Sequence, residues 1–169
     1  MGHFLAENGY TYRSLSDVVR ATAAARGLEP SRDHLVRIGN QLRATGGPAA
    51  LVSLLIAGLE LPAVIDSIRN PGEVNALRRL DGFVLVAVRA PDVLRFERMQ
   101  ARGRAGDLTT LADFQRFERR ENSAVASEQR IDDTVALADV TVDNNGSLEH
   151  LHHQITRVLE QRDLGGQQK

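Results

Sequence analysis

Apolar residues recur along this chain in short blocks, some with strand-like and some with helix-like spacing. Residues 83–88 are apolar at every position, which predicts a parallel strand covered on both faces. Residues 61–65 predict a second buried strand, whereas Val18, Val19 and Ala23 recur at the spacing of one helix face. Strands separated by helices predict an α/β fold, a three-layer parallel sheet with helices on both faces.

Turn and cap residues set the bounds of the other elements. Either Ser16 or Asp17 is the expected N-cap of the helix that follows the first strand. Further strands are expected over residues 10–15 and 139–142. Helices are expected over residues 1–8, 16–26, 31–45, 49–59, 71–80, 92–102, 111–129 and 147–162. The chain is therefore predicted to form a single domain, residues 1–163, followed by a polar tail, residues 164–169.

Composition narrows the classes of partner. The 169 residues suffice for one core that buries roughly 70% of the surface of the unfolded chain. A net charge of −1 provides no field that would attract nucleic acid or an anionic membrane, and no apolar run approaches the roughly 18 residues of a membrane span. The absence of cysteine excludes disulfides and favours a cytoplasmic location. We therefore expect a small-molecule ligand, no nucleic acid and no membrane partner.

Charged residues follow two of the predicted strands, at the edge of a parallel sheet where ligands bind. Asp66 ends the 61–65 strand, and Arg69 follows within one turn. Asp66 can hold Mg²⁺ through water or accept a proton, and Arg69 can bind a substrate phosphate. The alternative is that Asp66 caps the next helix and pairs with Arg69 at the surface. Asp17 and Arg20, after the first strand, are likewise either ligand-binding residues or a plain helix cap with its neighbour.

A second group of arginines surrounds a glycine-rich break. Arg95, Arg98 and Arg102 fall on one helix face, and Arg104 follows in a glycine-flanked loop. Arginines on a closing lid, here about residues 102–110, can stabilise the charge of a transferred phosphoryl group. The alternative is that neighbouring carboxylates and the helix C-terminus neutralise these arginines.

Two further sets are candidates for binding residues. Arg32 and Arg43 flank a predicted helix and either line an acceptor pocket or lie solvated at the surface. Asn144, Asn145 and Gly146 follow the last predicted strand and can contact an adenine ring, although Asn-Gly also suits any tight turn.

Taken together, these stretches resemble the P-loop nucleotide kinases, most closely the dephospho-CoA kinase and adenylate-kinase-like branch. The resemblance rests on the order of the matching stretches, which are residues 12–20, 26–32, 39–43, 66–73, 95–104, 118–123 and 139–146. It implies ATP and Mg²⁺ as cofactors and a nucleoside monophosphate or dephospho-CoA as the phosphoryl acceptor. It also implies that Asp17, Arg20, Arg43 and Arg69 bind the acceptor, that Asp66, Arg102 and Arg104 are catalytic, and that Asn144, Asn145 and Gly146 lie by the donor base.

The chain departs from this family at its start. No G-x-x-x-x-G-K-[ST] occurs in the sequence, so the groups that grip the donor phosphates are missing, which predicts a large loss of rate. In the family's strand order, 2-3-1-4-5, the missing first strand is the central one. The 61–65 and 83–88 strands are therefore expected to have unpaired inner edges, which must pair with each other, with another copy or with other residues. Such edges allow a homo-oligomer.

A smaller departure is Ser67, which stands where a glycine is usual and is expected to crowd the turn after Asp66. Two functions follow from the whole sequence. In the first, the chain belongs to an ATP-dependent nucleotide or dephospho-CoA kinase and is an N-terminally shortened form of it. In the second, it is a catalytically inactive relative that binds nucleotide or serves as an interaction module.

Overall fold

The structure is a computed structural model that describes residues 1–103 and 107–166, with side chains through residue 161. Its helices are α1 (Gly2–Glu7), α2 (Leu15–Ala25), α3 (Arg32–Gly46), α4 (Ala50–Ile56), α5 (Pro71–Leu77), α6 (Asp92–Arg102), α7 (Leu111–Arg120), α8 (Ile131–Ala136) and α9 (Leu148–Gly166). Its strands are β1 (Thr11–Ser14), β2 (Ala63–Asp66), β3 (Val86–Arg89) and β4 (Val140–Asp143). Helices alternate with parallel strands, so the predicted α/β class is confirmed.

The described strands form two short parallel sheets rather than one continuous sheet. β1 pairs with β2 so that Ser14 lies opposite Asp66, and β3 pairs with β4 so that Arg89 lies opposite Asp143. Within the described residues, no strand pairing joins β2 to β3. Direct pairing of these two strands, one of the three expected ways to satisfy their inner edges, is therefore not what the chain adopts.

Strand β3 is shorter than the sequence predicts. The apolar block begins at Phe83, but pairing with β4 begins only at Val86, and Val88 is 40% exposed. The backbone of Leu85 instead bonds to Asp139, whose carboxylate accepts the Leu85 N–H at 2.7 Å and whose own N–H donates to the Leu85 carbonyl at 2.9 Å. The prediction of a strand covered on both faces is wrong at Val88, because apolar character alone does not supply a covering element.

Helix α7 is also shorter than predicted, ending at Arg120 instead of near Gln129. The chain then folds back, with the Ser123 N–H donating to the Gln129 carbonyl at 2.9 Å. The Asn70 amide holds this return loop by donating to two of its carbonyls, at 2.8 and 2.7 Å. These tertiary bonds replace the intrahelical ones, and the short helix α8, absent from the sequence prediction, follows the loop.

The core consists of two apolar clusters. One is formed by residues of α2, α3, α4 and α5, including Leu15, Ile38 and Leu51. The other is formed by residues of α1, α9 and β4, including Leu5 and Ile155. Helix α4 is apolar nearly throughout, yet it is not covered on all sides, since Leu54 is 58% exposed. The predicted polar tail begins within α9, which continues to Gly166, and residues 167–169 lie outside the described part.

In the described part of the chain, no helix combines the length and the apolar character that crossing a bilayer requires.

Candidate functional site

A polar cavity of about 610 Å³ opens at the carboxyl ends of β1 and β2. Strand β2 and the turn after it contribute to its wall, as do α2, α3 and the segment around Asp107. Its charged lining residues are Asp17, Arg20, Arg32, Arg43, Asp66, Arg69, Arg102, Asp107 and Glu121. Six of the predicted site residues, Asp17, Arg20, Arg43, Asp66, Arg69 and Arg102, are therefore brought to one cavity. We refer to it as the polar pocket.

Asp66 is held at the strand end by two hydroxyl groups. The Tyr12 hydroxyl donates to Asp66 Oδ2 at 2.6 Å, and the Ser67 hydroxyl donates to Asp66 Oδ1 at 3.0 Å. Burial, the hydrogen bond to Asp66 and the negative charge of Asp66 together raise the pKa of Tyr12 to about 12. Tyr12 therefore stays protonated at neutral pH and remains a donor that fixes the carboxylate.

The turn after Asp66 requires an unusual backbone conformation. Ser67 has φ 62°, and it is the residue other than glycine for which the described chain shows a positive φ. A side chain in this region costs about 1–2 kcal/mol relative to glycine. The Ser67 hydroxyl also accepts a hydrogen bond from the Ser14 hydroxyl at 3.2 Å, which links the ends of β1 and β2. Ser67 therefore places backbone strain at the pocket, and the crowding expected at this turn stays a prediction.

Arg43 lies at the base of the polar pocket in a buried ion pair with Glu73. The two side chains are 2% and 0% exposed. Glu73 Oε1 accepts from Nε of Arg43 at 2.9 Å and lies 2.8 Å from Nη2 in the ion pair, while among the described residues Arg43 Nη1 makes one long bond, 3.4 Å, to Asn40. Arg43 therefore has one guanidinium nitrogen with weak local partners. The alternative that Arg43 lies solvated at the surface is therefore wrong.

The second oxygen of Glu73 organises the start of α5. Glu73 Oε2 accepts the backbone N–H of Arg69 at 2.8 Å and that of Asn70 at 3.1 Å. The Asn70 side chain in turn accepts the N–H of Gly72 at 2.7 Å, completing a capping box. Asn70 is thus the helix cap, so the interpretation of Asp66 as that cap is wrong.

Arg69 projects from this turn and is 37% exposed. Its Nη1 forms an ion pair with Glu121 at the end of α7 and donates to Gln129 in the return loop at 3.2 Å. No ion pair joins Arg69 to Asp66 in the described part of the chain. The predicted surface pair is therefore replaced by a contact with α7.

Asp17 and Arg20 lie in the first turns of α2. The N-cap of this helix is Ser14, whose hydroxyl accepts the N–H of Ser16 at 3.3 Å, so neither Ser16 nor Asp17 is the cap. Asp17 is exposed at the pocket. Within the described residues, the half-buried Arg20 has no hydrogen bond or ion pair from its side chain. Arg20 thus presents to the pocket a guanidinium that has no partner among the residues the structure describes.

Two further arginines of the pocket lining share the carboxylate of Asp107. Asp107 lies 4.0 Å from Arg32 Nε and 3.6 Å from Arg102 Nη2. The Arg32 guanidinium also lies 4.9 Å from the ring centroid of Phe117, in a cation–π arrangement. Arg104, the other predicted lid arginine, lies outside the described residues.

The remaining candidates lie away from the polar pocket. Arg95 pairs with Glu118 on α7, and Arg98 donates to the Asn144 carbonyl at 2.7 Å. Asn144, Asn145 and Gly146 follow β4 and are not among the residues that line the pocket. The arginine face of α6 is thus divided, and only Arg102 reaches the pocket.

Sequence reasoning gave no site role to four residues that the structure places at or behind the pocket, namely Tyr12, Glu73, Asp107 and Glu121. Tyr12 stands two positions before Ser14 on the same strand face, so strand alternation already directs it to the side of Asp66. The Asn70-Pro71-Gly72-Glu73 order is the pattern of a capping box and was the available signal for Glu73. Glu121 had no signal, because the end of α7 depends on tertiary bonds.

The pocket's five arginines face four lining carboxylates, so it is not uniformly basic. Three of the arginines, Arg32, Arg69 and Arg102, contact carboxylates of the lining, and Arg43 is paired behind it. The chemistry available is recognition of an anion by groups that can exchange partners, centred on Arg20. Among the described residues, no group of three or more metal-ligand side chains is assembled. Asp66, a single carboxylate, fits Mg²⁺ only through water or alongside a substrate phosphate.

Comparison with known proteins identifies relatives in archaea. A UPF0200 protein of Methanosarcina barkeri is 31% identical over 161 residues, which is 91% of this chain and 83% of the relative. A UPF0200 protein of Aeropyrum pernix is 34% identical over 163 residues, 95% of this chain and 84% of the relative. A UPF0200/UPF0201 protein of Archaeoglobus fulgidus is 34% identical over 153 residues, and the chain spans 46% of its length. No protein-family model matches. From these relatives, the chain belongs to the UPF0200 family.

Proposed function

We propose that the polar pocket binds the phosphate of a nucleotide-like acceptor, and that the chain is the body of a P-loop-kinase-like phosphotransferase. The observation that carries this proposal is Arg20, a guanidinium that lines the pocket and has no partner within the described residues. A buried or half-buried cation without a counterion favours binding an anion from solution. The acceptor is a nucleoside monophosphate or dephospho-CoA, and the donor implied by the resemblance is ATP.

The arrangement of strands supports a P-loop-kinase-like layout. The pairs β1–β2 and β3–β4 correspond to the outer neighbours in the order 2-3-1-4-5, with the position between β2 and β3 left open. The pocket lies beyond the carboxyl ends of β1 and β2, where ligands of open α/β sheets bind. We propose in addition that the complete sheet has a fifth strand between β2 and β3 and helices on both of its faces.

On the acceptor side, different residues bind the phosphate, accept the proton and neutralise charge. Arg20 and the weakly bonded Nη1 of Arg43 bind the phosphate, and Arg69 joins them by exchanging Glu121 for the ligand. Asp66, fixed by Tyr12, accepts the proton of the acceptor oxygen or holds a water of Mg²⁺. Arg102 neutralises charge from the α6 side.

The donor side fits less well. The sequence has no G-x-x-x-x-G-K-[ST], and the described residues that line the pocket include no lysine that could reach the β- and γ-phosphates of ATP. This observation favours a second candidate function: a nucleotide-binding or interaction module without turnover.

Both candidate functions require the pocket to bind a phosphorylated ligand. Calorimetric titration of the protein with AMP, dephospho-CoA and inorganic phosphate tests this binding. We expect binding that weakens with salt, and a loss of about tenfold or more in Arg20→Gln, since a charge-assisted hydrogen bond contributes about 1.5–3 kcal/mol. The matched control is Arg157→Gln, an exposed arginine on α9 outside the pocket. Equal affinities for the wild type and both variants would refute the pocket as an anion site.

Phosphoryl transfer separates the two candidates. Radiolabelled ATP is incubated with each acceptor, and product is measured for the wild type and for Asp66→Ala. Transfer that disappears in Asp66→Ala supports the kinase. Acceptor binding without transfer supports the module and removes catalysis from the proposal for this chain.

A further inference from the structure

Gln129 is a buried amide in the wall of the polar pocket. It belongs to the return loop, residues 121–130, which joins α7 to α8. Gln129 lines the pocket and is 7% exposed. A side-chain amide carries both a donor and an acceptor, and each of them needs a partner when burial removes it from water. Among the described residues, the protein supplies a hydrogen-bond partner to the acceptor alone.

The acceptor end of the Gln129 amide faces Arg69. Arg69 Nη1 donates to Gln129 Oε1 at 3.2 Å. Since a guanidinium has donors and no acceptor, the amide atom on this side must be the oxygen, and the NH2 group is at the other end. Gln129 Nε2 has no hydrogen bond to any residue that the structure describes. The pocket wall therefore contains an NH2 donor that lacks a partner in the described part of the chain and belongs to an almost fully buried side chain.

Backbone hydrogen bonds hold Gln129 in this place. Its carbonyl accepts the N–H of Ser123 at 2.9 Å. The carbonyl before it accepts from the Asn70 side chain at 2.7 Å, and the N–H after it, that of Arg130, donates to the Arg69 carbonyl at 2.8 Å. Because the backbone is bonded at Gln129 and on both sides of it, the loop fixes the position from which the side chain enters the pocket. Gln129 is thus a preorganised donor.

A ligand that takes Arg69 Nη1 from Glu121 comes within reach of this donor. Nη1 is the atom that contacts both Glu121 and Gln129. An anionic oxygen bound there has the Gln129 amide beside it, and an amide N–H bonds more strongly to a charged oxygen than to a neutral one. The NH2 group supplies that bond without adding charge to a pocket in which five arginines already face four carboxylates. The alternative is that Gln129 only positions Arg69 and that its NH2 group is bonded to water.

We propose that Gln129 binds the ligand of the polar pocket directly, with Nε2 donating to a phosphate oxygen that Arg69 also contacts. This role rests on the proposed function, since it requires the pocket to bind a phosphorylated ligand. Because Arg69 occupies the oxygen of the amide, Gln129 selects a ligand atom that accepts a hydrogen bond and disfavours one that donates. Bound phosphate then joins two elements, the turn before α5 that carries Arg69 and the return loop that carries Gln129.

Replacement of Gln129 by glutamate removes the donor and keeps the acceptor. Gln129→Glu retains the side-chain shape and an oxygen for Arg69, so a residue that only positions Arg69 would keep its function. The matched control is Gln41→Glu, because Gln41 Oε1 also accepts from an arginine, Arg26 Nη1 at 2.7 Å, and Gln41 does not line the pocket. In calorimetric titration with inorganic phosphate, we expect the affinity to fall at least about tenfold in Gln129→Glu and to stay unchanged in Gln41→Glu.

Nuclear magnetic resonance of the wild-type protein tests the contact without any variant, so it does not depend on how a variant folds. The side-chain NH2 signals of Gln129 and Gln41 are followed while inorganic phosphate is added. We expect the Gln129 protons to shift downfield in proportion to occupancy, because a hydrogen bond to an anion deshields its proton. The Gln41 protons should stay in place.

The role of Gln129 and the proposed function fail in different ways. Phosphate binding that weakens in Arg20→Gln but is equal in the wild type and Gln129→Glu, with unmoved Gln129 signals, would overturn the role of Gln129 and leave the pocket as an anion site. Weaker binding in Gln129→Glu with unmoved Gln129 signals would assign Gln129 to positioning Arg69 alone, which also overturns the direct contact. Absence of phosphate binding by the wild type would overturn both.

Discussion

Replacing Glu73 with glutamine should destabilise the protein severely. Glu73 is fully buried and accepts three hydrogen bonds, one from Arg43 Nε and two from backbone N–H groups at the start of α5, and it also forms an ion pair with Arg43 Nη2. Glutamine preserves the shape but leaves the Arg43 charge, 2% exposed, without a counterion. Breaking a buried pair from one side costs about 3–5 kcal/mol, a large part of the roughly 5–15 kcal/mol that stabilises a domain.

Urea unfolding followed by far-ultraviolet circular dichroism measures this cost. With an m-value of about 2 kcal/mol per molar, the unfolding midpoint of Glu73→Gln should fall by about 2 M. The control is Arg116→Gln, which removes an exposed pair between Arg116 and Asp113 on α7. The control should change the free energy of unfolding by less than about 1 kcal/mol, because solvent screens such a pair.

The double variant Arg43→Gln, Glu73→Gln tests whether the unpaired charge of Arg43 causes the loss of stability in Glu73→Gln. If the cost comes from an uncompensated charge, removing the arginine as well should recover at least about 1 kcal/mol relative to Glu73→Gln alone. A cost below about 1 kcal/mol for Glu73→Gln, or a double variant whose cost is the sum of the two single costs, would refute the reasoning.

The strained turn, the tyrosine and one glycine give three further predictions. Ser67→Gly should be more stable than Ser67→Ala by about 1 kcal/mol in urea unfolding, since both lose the hydroxyl but only alanine keeps a side chain at φ 62°; equal stabilities would contradict the strain. Tyr12 has a raised pKa of about 12, so its contribution to stability is complete below pH 10 and is lost as the pH rises through about 12. Tyr12→Phe should remove both that loss and the tyrosinate absorbance that develops near pH 12, and a Tyr12 that ionises near pH 10 would disprove the contact. Gly72→Ala should cost about 1–3 kcal/mol or more, because its Cβ would lie 2.3 Å from Pro48 Cβ, whereas Gly146→Ala, with no atom closer than 3.9 Å, should be neutral by the same measurement.

Much of the framework could be predicted from local sequence. The strands at Thr11–Ser14 and Val140–Asp143 and the Ser31 cap of α3 agree with what alternation and capping rules indicate. The positions of Asp17, Arg20, Asp66 and Arg69 at one pocket follow from the rule that parallel strands end at a common edge. Such predictions succeed because they depend on residues close together along the chain.

The predictions that failed depend on distant partners. Periodicity gives no reason for α7 to stop at Arg120, because the stop is set by bonds from Asn70 to the return loop. In the same way, the surface alternative for Arg43 fails because the burial of Arg43 depends on Glu73, thirty positions away, although Arg43 does line the polar pocket. Phe83 reads as strand, yet pairing begins only where β4 offers a partner.

Arg69 connects the polar pocket to helix α7, so a ligand that binds Arg69 also affects that helix. Its Nη1 is shared between Glu121 at the end of α7 and Gln129, and α7 packs against α6, which ends in Arg102. An anion that takes this donor removes one of the contacts that hold the C-terminal end of α7, where Arg95 also pairs with Glu118. Filling the pocket therefore alters the freedom of the helical pair that carries Arg102, so a probe attached to α7 would report the arrival of ligand without touching it.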